Sequence, residues 1–189
     1  MKKYPHRQYK LVEFDPIWKG KFLKVSDKVK SILGENLLEV NHIGSTSIEG
    51  MTGKPQVDIL VVVKNLDLVE KHNNDFTKEG FTVHGKGYVA DDDYYITEDS
   101  PDGVRLTSIH ILQDGNPKIR ERKIFRDYLE NNKEDRDLYV STKKKLYEQH
   151  SDDYRKYVAG KKDVIGEIMA RALVWAKSSH DSTGKKMSR

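Results

Sequence analysis

The spacing of apolar residues predicts an amphipathic helix near the start of the chain. Asp15 is placed to cap this helix, Pro16 stands at its first position, where a missing N–H is harmless, and Gly34 ends it. Between these residues, apolar positions recur every three or four residues and form one buried face. The residues of that face are Trp18, Phe22, Val25, Val29 and Ile32.

Two apolar segments after this helix predict neighbouring strands. The first, Leu37–Ile43, leads into a Gly-Ser turn, and the second, 56–63, is apolar on both faces after Asp58, which is typical of a central strand. A Ser-Pro-Asp-Gly turn later in the chain predicts an antiparallel strand pair. The remaining elements of this part are a helix over 66–78, a short strand over 81–84, and the paired strands over 94–97 and 104–112.

From Asn116 onward the pattern predicts only helices, over about 117–131, 134–149 and 152–177. The predicted fold class is therefore α+β: a small mixed β-sheet flanked by helices, with a C-terminal three-helix lobe. A chain of 189 residues is long enough for one domain with its own core. We predict this domain over 1–178, with an α/β part at about 1–115, a helical part at about 116–178 and a polar tail over 179–189.

Composition narrows the functional classes. The chain has no cysteine, which excludes disulfides and thiolate metal sites and fits a reducing compartment. We expect a soluble cytoplasmic protein, because no apolar run resembles a signal peptide or a membrane helix. The net charge of +4 is compatible with a phosphate-bearing ligand. Nucleic-acid binding ranks last, since no aromatic residues interleave with a Lys/Arg stripe.

The clearest chemistry lies in His42-Ile43-Gly44-Ser45-Thr46 and, after a loop that contains Lys54, in Asp58. A Gly-Ser turn at the end of one strand offers backbone N–H groups and a hydroxyl to a phosphate. A carboxylate on the neighbouring strand is placed to hold a divalent metal ion. This combination points to phosphoryl or nucleotidyl chemistry.

The same residues resemble the signature of the GrpB (UPF0157) family, which belongs to the nucleotidyltransferase fold superfamily. The resemblance covers nearly the whole chain and implies a nucleotidyltransferase-like sheet flanked by helices. Members of the family are sometimes fused to dephospho-CoA kinase, which implies a CoA-related ligand by association. The other matching segments are Phe14-Asp15-Pro16 with Trp18, Phe125-Arg126-Asp127-Tyr128-Leu129, and Tyr157 with Lys161 and Trp175.

The chain departs from the superfamily where metal ions bind. The working enzymes of the superfamily hold two Mg²⁺ ions on carboxylates two residues apart, plus a third carboxylate on a later strand. Here the position two residues after Asp58 is Leu60, and the later strand offers Ser108 and His110 instead. One aspartate is too few for a two-metal clamp. A one-metal reaction, a metal-free reaction and loss of catalysis are all compatible with this change.

We therefore predict a protein that binds a nucleotide or another phosphorylated small molecule and transfers a nucleotidyl group with a divalent metal, Mg or Mn. Asp58 and His110 are the predicted catalytic residues, and Asp58 is the predicted metal ligand. The alternatives are an inactive nucleotide- or phosphate-binding module and a His/Asp metal-binding protein, in which His42, His110 and Asp58 would converge. The predicted nucleotide- or phosphate-binding residues are His42, Gly44, Ser45, Thr46, Lys54, Arg126 and Lys161.

Several polar residues also have a plain structural interpretation. Arg126 and Asp127 are expected to form an ion pair that fixes a helix to the sheet, and Lys161 and the lysine run 143–145 are compatible with solvated helix faces. The acidic run 91–93 chelates poorly as a strand, because its carboxylates point in different directions. With Gly85 and Gly87 as hinges, that run is predicted to form a lid.

Overall fold

The computed structural model describes residues 9–184, and the side chains of 9–178. It has the predicted α+β architecture, with five strands in one sheet and six α-helices in this part of the chain. The strands are β1 (Leu37–Ile43), β2 (Val57–Val63), β3 (Thr82–Lys86), β4 (Tyr94–Asp99) and β5 (Arg105–Gln113). The helices are α1 (Ile17–Leu33), α2 (Asn73–Lys78), α3 (Pro117–Asn131), α4 (Lys133–His150), α5 (Tyr154–Gly160) and α6 (Lys162–Gly184).

The sheet is mixed and has the strand order β1-β2-β5-β4-β3. The central pair, β2 and β5, is parallel, and every other pair is antiparallel. Strand β2 has a neighbouring strand at each edge and helices on both faces. Burial on both faces explains why its residues after Asp58 are apolar. The predicted antiparallel pair of β4 and β5 is confirmed.

The two faces of the sheet pack against different helices. Alternate residues of β2, among them Ile59 and Val61, form a core with Trp18, Val25 and other apolar residues of α1 and the segment after β2. The residues between them face the other way, where Leu60 packs with Ile43, Leu112 and Ile119 of α3. Asp58 belongs to this second face, between the sheet and helices α3 to α6.

The first helix agrees with the prediction, and the next one differs in part. The side chain of Asp15 accepts a hydrogen bond from the N–H of Ile17 at 2.9 Å, and Gly34 ends α1 with φ +48°. The predicted helix over 66–78 is a tighter 3₁₀ helix, Leu66–His72, that continues into the short α2. Asn65 caps the 3₁₀ helix through the N–H of Asp67.

The C-terminal lobe contains four helices where the pattern predicted three. The segment predicted as one helix is interrupted at Lys161, between α5 and α6. Gly160, the last residue of α5, lies against the side chain of Leu146 in α4, where a Cβ would clash unless Leu146 moved. Helix α6 runs to Gly184, into the predicted polar tail, whose last residues, 185–189, lie outside the described residues.

In the described part of the chain, none of the helices combines the length and the apolar composition that crossing a membrane requires.

The assignment of residues 1–178 to a single domain stays a prediction.

Candidate functional site

Asp58 lies near the start of β2, in register with Ile43 of β1 and Ser108 of β5. Its carboxylate Oδ1 accepts a hydrogen bond from Nε2 of Gln56 at 2.5 Å. The same Gln56 nitrogen donates to the Ser108 hydroxyl at 2.9 Å, and the Gln56 side-chain oxygen lies 3.4 Å from the ammonium of Lys54. The buried Gln56 amide therefore fixes the orientation of Asp58 and connects it to β5.

The Gly-Ser turn lies directly against Asp58. Gly44 has φ +75° and ψ −174°, a conformation that essentially only glycine adopts. A Cβ at Gly44 would lie 2.7 Å from Oδ2 of Asp58, so the turn also needs glycine for space. The predicted pairing of the turn with the Asp58 strand is present in the structure.

We expect Gly44→Ala to lower the free energy of unfolding by about 2–3 kcal/mol, because it adds both backbone strain and a clash with Asp58. Gly50→Ala is the matched control, since Gly50 also has φ +75° but has open space around its Cα. The control should cost only about 1 kcal/mol. Urea unfolding of both variants measures the difference, and equal losses would show that the approach to Asp58 is not tight.

Three lysines from different elements converge on a small cavity beside this turn. Lys54 comes from the loop before β2, Lys143 from α4, and Lys161 from the break between α5 and α6. The cavity measures about 130 Å³ and is also lined by Gly44, Ser45 and Asp58. Asp58 is the carboxylate among its lining residues, so positive groups outnumber negative ones there.

Lys143 is the most buried of the three, with only 2% of its surface exposed. Its ammonium donates hydrogen bonds to the Ser45 hydroxyl at 3.0 Å and to the carbonyl oxygen of Thr52. The pKa of Lys143 is lowered to about 7, mainly by burial and next by the positive charge of Lys161, with Glu13 opposing more weakly. The Lys143 ammonium is therefore held beside the Gly-Ser turn although burial disfavours its charged form.

Lys54 and Lys161 are half-buried at the edge of the same cavity. Lys54 donates a hydrogen bond to the hydroxyl of Tyr154 at 2.7 Å. Within the described part of the chain, the ammonium of Lys161 has no hydrogen-bond acceptor and lies 4.8 Å from the ring centre of Tyr157. The pKa of Lys161 is lowered to about 8, mainly by burial and next by the positive charge of Lys54, while Asp58 opposes the change.

A larger cavity of about 400 Å³ adjoins the small one and shares Gly44, Lys54, Gln56 and Asp58 with it. Its other walls combine polar groups of β5 with aromatic rings, a common composition for small-molecule sites. Its lining also includes the side chains of Tyr95, Ser108, His110, Arg122, Phe125 and Tyr154.

His110 lines this larger cavity and is held from behind by Asp93. Nδ1 of His110 lies 2.6 Å from Oδ2 of Asp93, which is fully buried and also accepts a hydrogen bond from Nη2 of Arg122 at 3.3 Å. A carboxylate on one ring nitrogen fixes the orientation of the imidazole and leaves Nε2 for the cavity. Asp93 thus has a different surrounding from Asp91 and Asp92, its exposed and half-buried neighbours.

The structure does not bring His42 and Arg126 to Asp58. His42 is paired with Ile59, not with Asp58, and its ring stacks on Phe22 of α1 at 4.9 Å, on the opposite face of the sheet. Nη1 of Arg126 donates to the carbonyl oxygen of His42 at 3.0 Å, and its Nε donates to Asp127. Both side chains line a separate cavity of about 560 Å³, and the structural interpretation of Arg126 fits this placement.

His42 is held in its neutral form. Its pKa is lowered to about 4, mainly by burial, with Asp58 raising it and Arg126 lowering it to smaller extents. Its Nε2 lies 3.0 Å from the hydroxyl of Thr46, which donates to the carbonyl oxygen of Gln56 at 3.2 Å. Because the hydroxyl proton goes to Gln56, Nε2 of His42 is the donor to Thr46. Thr46 thereby ties the turn to the segment that precedes Asp58.

The residues around Asp58 do not fit a two-metal clamp. Leu60 is fully buried in an apolar cluster, Ser108 is bonded to Gln56, and one oxygen of Asp58 already accepts from Gln56. Among residues 9–178, no three or more His, Asp or Glu side chains are grouped so that they could hold a metal ion. The hypothesis in which His42, His110 and Asp58 share one ion is not supported, because His42 lies on the other face of the sheet.

Lys143 was not recognised from the sequence, where it stands in a run of three lysines interpreted as a solvated face. The signal that identifies it is helical spacing, since the buried residues of α4 are Asp135, Tyr139 and Lys143, each four residues after the last. Lys144 has the expected exposed position, with an ion pair to Glu13 at 2.8 Å.

Comparison with known proteins finds relatives along most of the chain. The family model described as "GrpB protein" matches residues 8–171. The UPF0157 protein YqkA of Bacillus subtilis is 29% identical over 181 residues, which are 96% of this chain and 52% of YqkA. A dephospho-CoA kinase of Mycolicibacterium paratuberculosis is 28% identical over 199 residues, covering 94% of this chain and 48% of the kinase. The chain thus spans about half the length of these two relatives.

Solved structures agree with this similarity. The crystal structure of the conserved protein GrpB from Enterococcus faecalis superposes with a TM-score of 0.83 and 32% identity, covering 88% of this chain and 99% of that one. A chain of the GLD-2/RNP-8 complex superposes with a TM-score of 0.51 and 14% identity, covering 77% and 58%. The second match concerns the fold alone, which is nucleotidyltransferase-like.

Proposed function

Because this chain belongs to the GrpB family and has a nucleotidyltransferase-like fold, we propose that it binds the phosphate group of a nucleotide or another phosphorylated small molecule in the Asp58 cleft. One observation carries this proposal: Lys54, Lys143 and Lys161 surround the Gly-Ser turn opposite a single carboxylate. An excess of positive charge on one buried and two half-buried lysines, next to a hydroxyl and a glycine turn, suits an anion.

The two adjoining cavities suggest where the different parts of such a ligand bind. The small cavity, at about 130 Å³, lies below the usual range for a whole ligand and suits one anionic group bound by Ser45, Lys143 and Lys161. The larger cavity of about 400 Å³ then takes the body of the molecule against the aromatic rings of Tyr95 and Phe125. Lys54 lines both cavities and contacts the ligand where they meet.

Transfer of a nucleotidyl group is a second candidate, supported by the nucleotidyltransferase-like fold and by the placement of His110. His110, oriented by Asp93, is the group in the cleft suited to take a proton from an attacking hydroxyl or amine. This second candidate function would include a divalent ion, Mg or Mn, bound by Asp58. The residues do not fit the two-metal arrangement, so we assign no step to a metal. A cytoplasmic location is part of the same proposal.

A thermal-shift panel tests the proposal. The ligands are AMP, ADP, CoA, dephospho-CoA and 4′-phosphopantetheine, each with EDTA or with Mg²⁺ or Mn²⁺. The CoA compounds are included because one relative is named a dephospho-CoA kinase. A ligand at a hundredfold excess over its Kd should stabilise the protein by about 2.7 kcal/mol, or roughly 5–10 °C for a chain of this length.

Adenosine and pantetheine are the matched controls, because each lacks the phosphate of its counterpart. The proposal predicts a shift with AMP or 4′-phosphopantetheine and none with the control. Equal shifts for a phosphorylated compound and its control would show that the cleft does not recognise phosphate. A flat panel would contradict the proposed function as a whole.

A further inference from the structure

The small cavity beside the Gly-Ser turn has more positive than negative side chains in its lining. Three ammonium groups and one carboxylate line it, so the cavity carries a surplus of two positive charges when the three lysines are protonated and Asp58 is ionised. Burying like charges together is unfavourable unless a counter-charge joins them. Glu13, the other carboxylate that acts on Lys143, lies outside the cavity in an exposed ion pair with Lys144.

The pKa values of Lys143 and Lys161 are lowered, as expected for buried ammonium groups with little negative charge beside them. In each case the main cause is burial and the second is another lysine of the same cavity. Hydrogen bonding gives the same indication. Among the described residues the Lys161 ammonium has no acceptor, and that of Lys143 donates to neutral oxygens of Ser45 and Thr52.

We propose that Lys54, Lys143 and Lys161 take the place that divalent metal ions have in related folds, so that the small cavity binds a phosphomonoester dianion without metal. Asp58 is then a counter-charge for the lysines and not a metal ligand. A phosphomonoester carries about −1.5 to −2 charges at neutral pH, which matches the surplus, whereas a phosphodiester carries one. This inference rests on the proposed function and names its ligand class.

The role of Asp58 separates this inference from the metal hypothesis. In a metal site the carboxylate is required, and Asp58→Asn abolishes binding. In a lysine site the carboxylate competes with the phosphate for the same ammonium groups and repels the dianion, so Asp58→Asn strengthens binding. The two hypotheses predict opposite signs for one substitution.

Isothermal titration with inorganic phosphate, AMP and 3′,5′-cyclic AMP tests the inference. AMP and cyclic AMP share base and sugar and differ in the charge of the phosphate. In EDTA, we expect phosphate and AMP to bind, cyclic AMP to bind at least about tenfold more weakly, and Mg²⁺ to bring no gain. Asp58→Asn should bind AMP severalfold more tightly than the wild type.

Lysine variants provide the second arm. Lys161→Met and Lys143→Met should each weaken AMP binding by about 10–100-fold, the range expected for loss of a charge-assisted hydrogen bond. Lys144→Met is the matched control, because Lys144 is adjacent in sequence but exposed and outside both cavities. Lys161→Met breaks no hydrogen bond among the described residues, so it stays informative if Lys143→Met fails to fold.

The outcomes are distinct. Binding that requires Mg²⁺ and disappears in Asp58→Asn would overturn the inference and leave the proposed function in place. Equal affinity for AMP and cyclic AMP, or equal effects of Lys161→Met and Lys144→Met, would also overturn it. Absence of binding by every phosphorylated compound would overturn both.

Discussion

We expect Asp93→Ala to lower the free energy of unfolding by about 3 kcal/mol, because the change leaves a cation in the protein interior without its partner. Asp93 is fully buried, and its Oδ2 contacts both His110, at 2.6 Å, and Arg122, at 3.3 Å. Alanine removes both contacts and leaves a cavity. Since Arg122 is half-buried and gains some water when Asp93 is lost, the lower end of the usual range applies.

Asp91→Ala is the matched control, since Asp91 lies two residues earlier in the same acidic run and is exposed. Its loss should change the free energy of unfolding by less than about 0.5 kcal/mol. Urea denaturation of the two variants and the wild type measures both effects. Asp93→Asn keeps the shape of the side chain and removes only its charge, so it separates packing from charge. Similar values for Asp93→Ala and Asp91→Ala would contradict the buried pairing.

The secondary structure could be predicted well where local pattern and burial coincide. Strand β1 has the predicted bounds, and β2 begins one residue later than predicted, since strand patterns that lead into a turn are readable from the sequence alone. The break at Lys161 was not predictable, because the apolar spacing continues through it. Gly160, the last residue of α5, packs against Leu146 of α4, and a tertiary contact of this kind leaves no local signal.

The candidate site could be predicted only in its local part. Gly44, Ser45 and Asp58 lie on one strand–turn–strand unit, so their proximity followed from the motif. His42 was assigned to the same site, but the register of β1 against β2 places it on the opposite face, and register depends on the paired strand. Asp93 was one of three identical residues in a run, and only the folded chain shows which of them is buried.

The lysines illustrate the same limit. Lys143 and Lys144 are adjacent and chemically identical, yet one is buried beside Ser45 and the other pairs with Glu13 at the surface. The available signal was helical spacing. Lys143 lies four residues after the buried Tyr139 and so on the same face of α4, whereas Lys144 points away from that face. The position of a lysine on the apolar face of a helix therefore indicates which member of a lysine run is buried.

The second large effect concerns Leu60, which stands two residues after Asp58, where the resemblance to the superfamily led us to look for a second carboxylate. We expect Leu60→Asp to lower the free energy of unfolding by more than about 4 kcal/mol and to give no stabilisation by Mg²⁺. Leu60 is fully buried against Ile43, Leu112 and Ile119. A carboxylate there loses the packing of leucine and has no hydrogen-bonding partner in this cluster.

Two further variants separate the causes. Leu60→Met conserves volume and should cost less than about 1.5 kcal/mol, while Leu60→Asn matches aspartate in shape without its charge. Chemical unfolding with EDTA and with Mg²⁺ gives the comparison. A stable Leu60→Asp variant that gains further stability from Mg²⁺ would show that this face of β2 can still chelate a metal beside Asp58. The expected loss of stability, with no gain from Mg²⁺, would mean that the side chain at position 60 packs against Ile119 of α3 and does not face a metal ion. The cations that face Asp58 are then the lysines of the loop before β2, α4 and the α5–α6 break.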